Sequence, residues 1–535
     1  PITIAYVLVI SGLAWWMLSS IGRDVLPKVN SGQFQVRLRA PEGTRAERTE
    51  EKTIKVLNII KSIMGDENIN VTSAFVGQHP SQFSTSPIYL FMPGPHEAVI
   101  QVSLKEGYRT NLDELKDKIR ERMKQEVPDV QPSFEPIELT EKILSQGSPT
   151  PIEVRVSGRN KKTNELYSAK IIDRLKEISY LRDVQLSQST KYPTINVNVD
   201  RIKAAQLGLD MNDVSRSLIT STSSSRFTDK NIWMDEKAGY SYSVQVEVPE
   251  SKMASTNDLK EIALQKNAAR PVLGDVATVA TGTAYGENDN LGAMPALSVT
   301  ANVHKTDLGA ASNDVKKAIA SLGELPRGLS IEPIGLSTTL TETLDSLQSG
   351  LIVAIVVIFL MLAANFQSFK VSLVVLATVP AVLLGSLSLL MLTGSTLNLQ
   401  SYMGIIMSVG VSISNSVLLI TNAEQLRKHN GNAFLSAKEA AALRLRPILM
   451  TALAMVVGMI PMASGLGEAG DQSAPLGRAV IGGLIASTFA ALFILPVIFA
   501  WAQEKSGTQS VSLDPEDKES KHYIRSLFDN RTKHA

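Results

Sequence analysis

The sequence is poor in the residues that build catalytic and metal centres. Its 535 residues include no cysteine and only 6 histidines. Disulfides are therefore excluded, and the histidines show none of the spacings typical of metal ligands. No Ser/His/Asp or Cys/His arrangement stands in a plausible context, and the net charge of +1 gives no sign of a nucleic-acid partner. We therefore expect neither an enzyme nor a cofactor, a bound metal or a nucleic-acid ligand.

Charged residues are missing from long stretches of the chain. Residues 371–423 contain no Asp, Glu, Lys or Arg. A bilayer core of roughly 30 Å needs about 20 apolar residues in a helix. Six stretches satisfy this requirement and are predicted to be transmembrane helices: 2–22, 347–366, 371–393, 399–423, 447–466 and 479–501.

The first of these stretches could instead be a signal peptide. It has no basic segment in front of it and no small-residue cleavage site before Arg23, which favours a transmembrane helix. Because the chain starts at Pro1 inside an apolar segment, we expect it to be part of a longer protein.

The short loops differ in their Lys and Arg content, which sets the orientation of the helices. Loop 424–446 contains five basic residues, whereas loop 465–476 contains none. The first loop is therefore expected in the cytoplasm, with the tail 504–535, and the large segment 23–346 on the other side. A domain without cysteine suits a bacterial periplasm. The sequence thus predicts a multi-pass protein of the bacterial inner membrane with a large periplasmic domain.

The segment between the first and second apolar stretches shows α/β patterning. Alternating and helical periodicities follow each other in the order βαββαβ, with the predicted elements at 33–40, 45–63, 71–76, 98–104, 111–126 and 130–137. This order is that of a ferredoxin-like split βαβ unit. The fold class is therefore a membrane α-helical bundle of six transmembrane helices with a large α/β domain of such units.

A second unit follows a junction marked by Gly147, Pro149 and Pro151. Its strands and helices are predicted at 152–158, 163–178, 182–188, 194–200 and 202–220, and they resume at 296–304, 309–322 and 328–334 after an inserted subdomain with a strand at 240–248. The predicted organisation is a first transmembrane helix (1–22), a first subdomain (23–147), a second subdomain in two parts (148–220 and 293–340), an inserted docking subdomain (221–292), five transmembrane helices (341–503) and a tail (504–535).

One predicted transmembrane helix has a polar stripe. Ser408, Ser412, Asn415 and Asn422 recur at helical spacing. In lipid, such a stripe must face protein or water. Small and polar residues also serve simply to let helices pack closely, which is their commonest use in membranes. Both interpretations, a functional site and a packing face, fit the stripe.

Three segments resemble the resistance-nodulation-division (RND) efflux pumps. They are Arg-Leu-Arg-Pro-Ile-Leu-Met-Thr at 444–451, Gly-Val-Ser-Ile-Ser-Asn-Ser at 410–416, and Asp24, Leu26 and Pro27 after the first apolar stretch. The chain resembles the carboxy-terminal half of such a pump, and the hydrophobe/amphiphile drug-efflux branch in particular. The resemblance implies a homotrimer in the lipid bilayer, a periplasmic porter domain, an adaptor protein, an outer-membrane channel and an amino-terminal half that completes each protomer.

The resemblance also implies a proton relay. In the family, two carboxylates of the amino-terminal half face a Lys and a Thr of the carboxy-terminal half. The Thr corresponds to Thr451, but Ser414 stands at the position of the Lys, next to a matching Asn415. A carboxylate facing Ser414 and Asn415 would lack the ion pair that normally sets its protonation. We place the proton-relay region at Ser414, Asn415 and Thr451, with Ser408 and Ser412 nearby.

In the family that the chain resembles, mobile loops line the substrate cleft. The resemblance implies that such a loop lies between the second and third strands of the first unit. Here that loop contains Phe83, Tyr89 and Phe91, and aromatic side chains there could stack on apolar substrates. Alternatively, Tyr89 and Phe91 are strand residues that pack into the core.

Other functions of the same superfamily remain alternatives. A heavy-metal exporter would use thioether ligands for soft cations, but the methionines of the large segment are scattered: Met64, Met92, Met123, Met211, Met234, Met253 and Met294. A protein-export accessory has a comparable layout but normally has charged residues within its own transmembrane helices. A ligand-binding domain with helices that only anchor it would not need a polar stripe.

Overall fold

Continuous apolar patterning gives long helices in the second half of the chain, and alternating patterning gives two sheets before them. The computed structural model describes residues 2–27, 32–77, 94–105, 107–108, 110–264, 270–466 and 470–504. Within them, five helical segments are long and apolar enough to cross a membrane: Leu336–Phe366, Phe369–Leu392, Leu399–Asn430, Ala433–Ala463 and Gly470–Gln503. Five of the six predicted transmembrane helices are thus confirmed. The remaining apolar stretch forms a shorter helix, α1 (Ile2–Ser20).

The first α/β unit has the predicted order of elements. They are β1 (Gln33–Arg39), α2 (Ala46–Met64), β2 (Ile69–Val76), β3 (Glu97–Leu104), α3 (Leu112–Glu126) and β4 (Gln131–Glu135). The four strands form an antiparallel sheet in the order β2-β3-β1-β4. The central strand β1 pairs with β3 on one side and with β4 on the other, and both helices pack on one face of the sheet.

Side-chain alternation along β1 explains the two faces of this sheet. Phe34, Val36 and Leu38 point into the core, where they meet apolar residues of α2 and α3. Gln35, Arg37 and Arg39 point to the opposite face, as the two-residue period of a strand requires. That opposite face is also covered, because Gln35 is 0% exposed. A second layer of protein therefore lies against a polar sheet face.

The second unit repeats the same topology around a large insertion. After the short helix α4 (Leu139–Leu144), its elements are β5 (Ile152–Gly158), α5 (Lys161–Lys176), β6 (Leu181–Leu186), β12 (Met294–Val303), α10 (Leu308–Ala320) and β13 (Leu329–Ile334). Strand β5 pairs with β12 and β13, and β6 pairs with the other edge of β12. The resulting order, β6-β12-β5-β13, matches that of the first unit strand for strand.

The insertion begins earlier than the sequence predicts. Its elements are β7 (Tyr192–Val199), α6 (Arg201–Gln206), α7 (Met211–Thr222), β8 (Asn231–Met234), β9 (Ser241–Val244), α8 (Thr256–Lys260), α9 (Leu273–Val276), β10 (Ala277–Ala284) and β11 (Asp289–Leu291). Strand β7 pairs with β10, and β11 returns to β12. Residues 192–220, expected in the second subdomain, therefore pack with the insertion around Leu259 and Leu273. Alternation identifies β7 as a strand but does not identify its partner.

Proline explains the irregular parts of the membrane bundle. Its helices are α11 (Leu336–Phe366), α12 (Phe369–Leu376), α13 (Val379–Leu392), α14 (Leu399–Asn430), α15 (Ala433–Ala463), α16 (Gly470–Phe489) and α17 (Leu495–Gln503). The break between α12 and α13 precedes Pro380, and a π-helical turn at Ala490–Ile494 precedes Pro496, since proline removes a backbone donor. Helix α15 continues through Pro447, as neighbouring helices allow in membranes.

Helix α16 lies at the centre of the bundle because its small residues permit close packing. A Cβ atom on Gly404 of α14 would lie 2.7 Å from the carbonyl oxygen of Leu476. Gly482 and Gly385 meet backbone to backbone in the same way. Ser386 of α13 donates a hydrogen bond to the carbonyl oxygen of Ala479, at 2.8 Å. Two helices, α13 and α14, thus approach α16 at distances that larger side chains would prevent.

The second unit and the membrane bundle share one hydrophobic core. Helix α11 follows β13 after the single residue Gly335, whose φ is 84°, and Leu336 and Leu340 of its first turns are buried. The same cluster continues from Val154 of the second unit to Val375 of the bundle. The core of the first unit is separate, so the second unit is the one fixed to the membrane part.

Candidate functional site

Helix α14 presents its polar residues in two directions. Ser408 and Ser412 are buried against neighbouring helices. Ser408 donates to the carbonyl oxygen of Gly404 at 2.9 Å, and Oγ of Ser412 lies 3.4 Å from Oγ1 of Thr378, where α12 ends and α13 begins. Small hydroxyl side chains that bond within their own helix, as Ser408 does, or to a neighbouring one, as Ser412 does, allow close helix contacts. The structure places these two residues in internal packing.

Ser414, Asn415 and Thr451 lie on the outer side of the bundle. Ser414 and Thr451 are exposed, and Asn415 is half-buried. Thr451 donates to the carbonyl oxygens of Pro447 and Ile448, at 3.1 and 3.0 Å. The helices that hold them, α14 and α15, pack against each other. Ser414 and Asn415 therefore do not share an internal site with Ser408 and Ser412. The predicted substrate-path residues Phe83, Tyr89 and Phe91 lie outside the described part of the chain.

A charged cleft between the two α/β units was not predicted from the sequence. It is a cavity of about 420 Å³ between the polar face of the first sheet and strands β5, β6 and β12 of the second unit. On the first wall, Arg37 binds Glu97 at 2.9 Å and Glu135 at 2.5 Å. Arg39 binds Glu97 at 2.6 Å and donates to the carbonyl oxygens of Leu186 and Ser187 in the second unit, at 2.7 and 2.5 Å.

The electrostatics of the cleft are set by burial and by these pairs. Burial alone raises the pKa of Glu97, but the Arg39 and Arg37 guanidinium groups outweigh it and hold that pKa below its usual range. Glu287 on the opposite wall has no such excess of cations. Burial is the largest cause that raises the pKa of Glu287, and the negative charges of Asp289 and Glu97 raise it further, to about 7. The cleft thus contains a carboxylate that changes charge near neutral pH.

A local signal for this cleft exists in the sequence. Gln33, Gln35, Arg37 and Arg39 alternate with apolar residues on β1, so one sheet face had to be charged. The sequence does not show which residues pair with this face or cover it. Glu97, which pairs with Arg37, is 60 residues away in the chain. The opposite wall is formed by a different unit.

A bundle of long apolar helices joined to a two-unit α/β domain is the architecture of a multi-pass integral membrane protein. The model of the AcrB/AcrD/AcrF family matches residues 1–503. The chain therefore belongs to the AcrB/AcrD/AcrF family of RND permeases, an inner-membrane family, as the resemblance in the sequence indicates.

Curated relatives differ in what their names describe. The chain is 24% identical over 505 residues to the "Cation efflux system protein CzcA" of Alcaligenes sp. (strain CT14), covering 92% of this chain and 46% of that protein. It is 24% identical over 525 residues to the "Multidrug/solvent efflux pump membrane transporter MepB" of Pseudomonas putida, covering 96% of this chain and 48% of that protein. The chain thus spans about half the length of the curated relatives it matches.

A solved structure has the same fold. It is described as a heavy metal efflux pump in crystal form II, with a TM-score of 0.78 and 23% identity, and the match covers 94% of this chain and 51% of that one. At this identity the likeness establishes the arrangement of elements.

Proposed function

We propose that this chain is the carboxy-terminal half of a proton-driven RND export permease of the bacterial inner membrane. In this proposal it exports hydrophobic and amphiphilic compounds through a periplasmic porter domain, and it is a transporter rather than an enzyme. The porter consists of two ferredoxin-like split βαβ units. The equal strand orders of the two sheets, with the first strand between the third and the fourth, support that assignment.

The position of Ser414, Asn415 and Thr451 on the outer side of the bundle is the observation on which the proposal depends most. Polar groups within a bilayer are costly unless they face protein or water. These three side chains are turned away from the packed interior of this bundle. An amino-terminal half that packs on α14 and α15 would cover them and place its carboxylates beside them. Ser414, in place of the family's Lys, and Asn415 would then hydrogen-bond a carboxylate that has no ion-pair partner.

Helix α1 is the sixth transmembrane helix in this proposal. It is uncharged over 19 residues and packs against α13, where Oγ of Ser388 lies 3.7 Å from Sδ of Met17. Six transmembrane helices place the two α/β units together on the periplasmic side. The insertion is then the docking subdomain that faces an outer-membrane channel, with an adaptor protein around a homotrimer.

Substitutions in the complete pump test the proposed proton site. Asn415→Ala and Thr451→Ala should each lower drug tolerance of an efflux-deficient host at equal expression, because each removes a hydrogen-bonding group from the relay. Ser464→Ala is the matched control, since Ser464 is exposed at the end of α15, directly after Ala463, and donates to that helix at Pro461, as Thr451 does at Ile448. If both relay variants keep full tolerance, the site assignment is wrong.

Heavy-metal export is the second candidate. The name of one relative describes cation efflux, and that of another describes cobalt-zinc-cadmium resistance. Within the described residues, however, Met64 and Met123 are buried in the first unit's core, and Met234 is exposed on the hairpin β8–β9 of the insertion. Growth of the same host on cobalt, zinc, cadmium and copper, beside solvents and lipophilic cations, separates the candidates. Tolerance to metals alone would contradict export of hydrophobic compounds.

A further inference from the structure

The segment that follows α1 joins the membrane bundle to the second α/β unit. Residues 22–25, which we call the strap, lie between the loop before α14 and the first turn of α10. Asp24 lies at its centre and is 6% exposed. Asp24 belongs to one of the segments that resemble the RND pumps, and the proposed proton relay does not use it.

On the membrane side, the strap is bonded by its backbone. The N–H of Leu397 donates to the carbonyl oxygen of Gly22 at 2.7 Å, and the N–H of Asp24 donates to that of Leu397 at 3.1 Å. The N–H of Leu399, the first residue of α14, donates to the carbonyl oxygen of Val25 at 3.3 Å. The strap is thus attached to the start of the helix that contains Ser414 and Asn415.

On the other side, the strap is bonded to the start of α10. The carboxylate of Asp24 accepts the N–H of Leu308 at 3.0 Å. The N–H of Gly309 donates to the carbonyl oxygen of Arg23 at 2.9 Å, and the N–H of Arg23 donates to Asp307 at 3.0 Å. A Cβ atom on Gly309 would lie 2.9 Å from that of Arg23, so the contact leaves no room for a side chain.

We infer that the strap, with Asp24 as its positioning residue, transmits movement of α14 to helix α10 of the second unit. Asn415 lies about 25 Å along α14 from its first turn, at about 1.5 Å per residue. Because α14 is one continuous helix, a shift at Asn415 also moves its first turn. That first turn is hydrogen-bonded to the strap at Leu399. Because α10 packs on the sheet that forms one wall of the charged cleft, displacement of α10 changes the cleft. This inference rests on the proposed function.

The test compares two aspartates in the complete reconstituted pump. Asp24→Ala removes one of the three hydrogen bonds between the strap and the start of α10, the one made by a buried side chain. Asp210→Ala is the control, because Asp210 also accepts a backbone N–H at the start of a helix, from Asp213 at 2.7 Å, but in the insertion. Coupling between sites typically corresponds to about 5- to 150-fold effects, so Asp24→Ala should lower the maximal export rate about fivefold or more. The KM should stay unchanged, and Asp24→Asn, which retains an acceptor oxygen, should recover most of the rate.

Distance measurements separate the strap from the proposed function. This chain has no native cysteine, so spin labels at Lys118→Cys on α3 and Lys316→Cys on α10, both exposed, report the separation of the two units. The distance distribution should change when a proton gradient is applied, and Asp24→Ala should abolish that change while Asp210→Ala preserves it. A normal response of Asp24→Ala, or equal loss in both variants, contradicts the coupling. No response in the unmodified pump contradicts the proposed function itself.

Discussion

Arg120 of the first unit binds Asp183 of the second unit through two parallel contacts. Nε lies 2.9 Å from Oδ1, and Nη2 lies 2.7 Å from Oδ2. Asp183 also accepts the amide of Asn302 at 2.8 Å and the N–H of Phe134 at 3.3 Å, while Arg120 stacks on the Phe134 ring. A single carboxylate thus fixes elements of both units to each other.

Replacement of Asp183 by Ala should therefore destabilise the protein by about 3 kcal/mol. The side chain of Asp183 is 4% exposed, and removal of one member of a buried pair is strongly destabilising. Arg120 retains its contact with Asp117 at 2.8 Å, which keeps the cost at the lower end of the range for such a removal. Its φ of 54° adds strain for Ala but suits Asn, so Asp183→Asn should cost less. The thermal unfolding midpoint in detergent measures both. Asp229→Ala is the control, since its pair with Arg216 is exposed and worth under about 1 kcal/mol. Equal effects at the two sites would contradict a structural role for the pair.

Gly482→Ala should disrupt the bundle. The added Cβ would overlap the carbonyl oxygen of Gly385 and the Cβ of Leu389, so α13 and α16 would have to separate. Overpacking of a close contact costs about 1–3 kcal/mol or more. Monodispersity and the thermal midpoint should both fall. Gly458→Ala, where nothing lies within 4 Å of the added Cβ, should be neutral or slightly stabilising. A fully stable Gly482→Ala would show that the helices are not in backbone contact.

The elements of the first unit were predictable from the sequence to within a few residues, whereas the predicted helix 202–220 is two helices, α6 and α7. The structure has β3 at Glu97–Leu104 and α3 at Leu112–Glu126, where the sequence predicts 98–104 and 111–126. Such elements are determined by the periodicity of apolar side chains along the chain. In α3, Leu115, Ile119 and Met123 recur at helical spacing and form one buried face. The pairing of strands is determined by contacts between residues that lie far apart in the sequence. The assignment of β7 to the wrong subdomain follows from that difference.

The candidate site was predictable only in part. The spacing of Ser408, Ser412 and Asn415 identified the polar stripe, but an ideal helix does not show which neighbour covers which residue. The structure buries Ser412 beside Thr378 and leaves Ser414 exposed. The cleft was missed because Arg39 bonds to a carbonyl oxygen of Leu186, in another unit. A cleft of this kind forms where two units pack together, and the composition of the sequence gives no sign of that packing.

The stability of the protein should fall between about pH 4.5 and 7 through Glu287. Its folded-state pKa of about 7 exceeds the ordinary value of 4.5. In that interval the folded state binds more protons than the unfolded state, so stability decreases as pH rises. Glu287→Gln should remove this term and should be more stable than the wild type at pH 8, but not at pH 4. Unfolding midpoints across this range, with Glu236→Gln on the exposed hairpin as control, measure it. Parallel curves for the wild type and Glu287→Gln would show that Glu287 titrates normally.

This chain alone should not couple transport to protons. Its six predicted transmembrane stretches contain no Asp, Glu, Lys, Arg or His, and a proton carrier needs a group that titrates within the membrane. In proteoliposomes with an imposed pH gradient, substrate should therefore cause no proton flux through the purified chain. Addition of the amino-terminal half should produce that flux, because the carboxylates facing Asn415 and Thr451 come from it. Protein-free liposomes and a protonophore set the lower and upper limits of the signal. Robust flux through this chain alone would require a proton path without these carboxylates and would contradict the proposed division of roles between the halves.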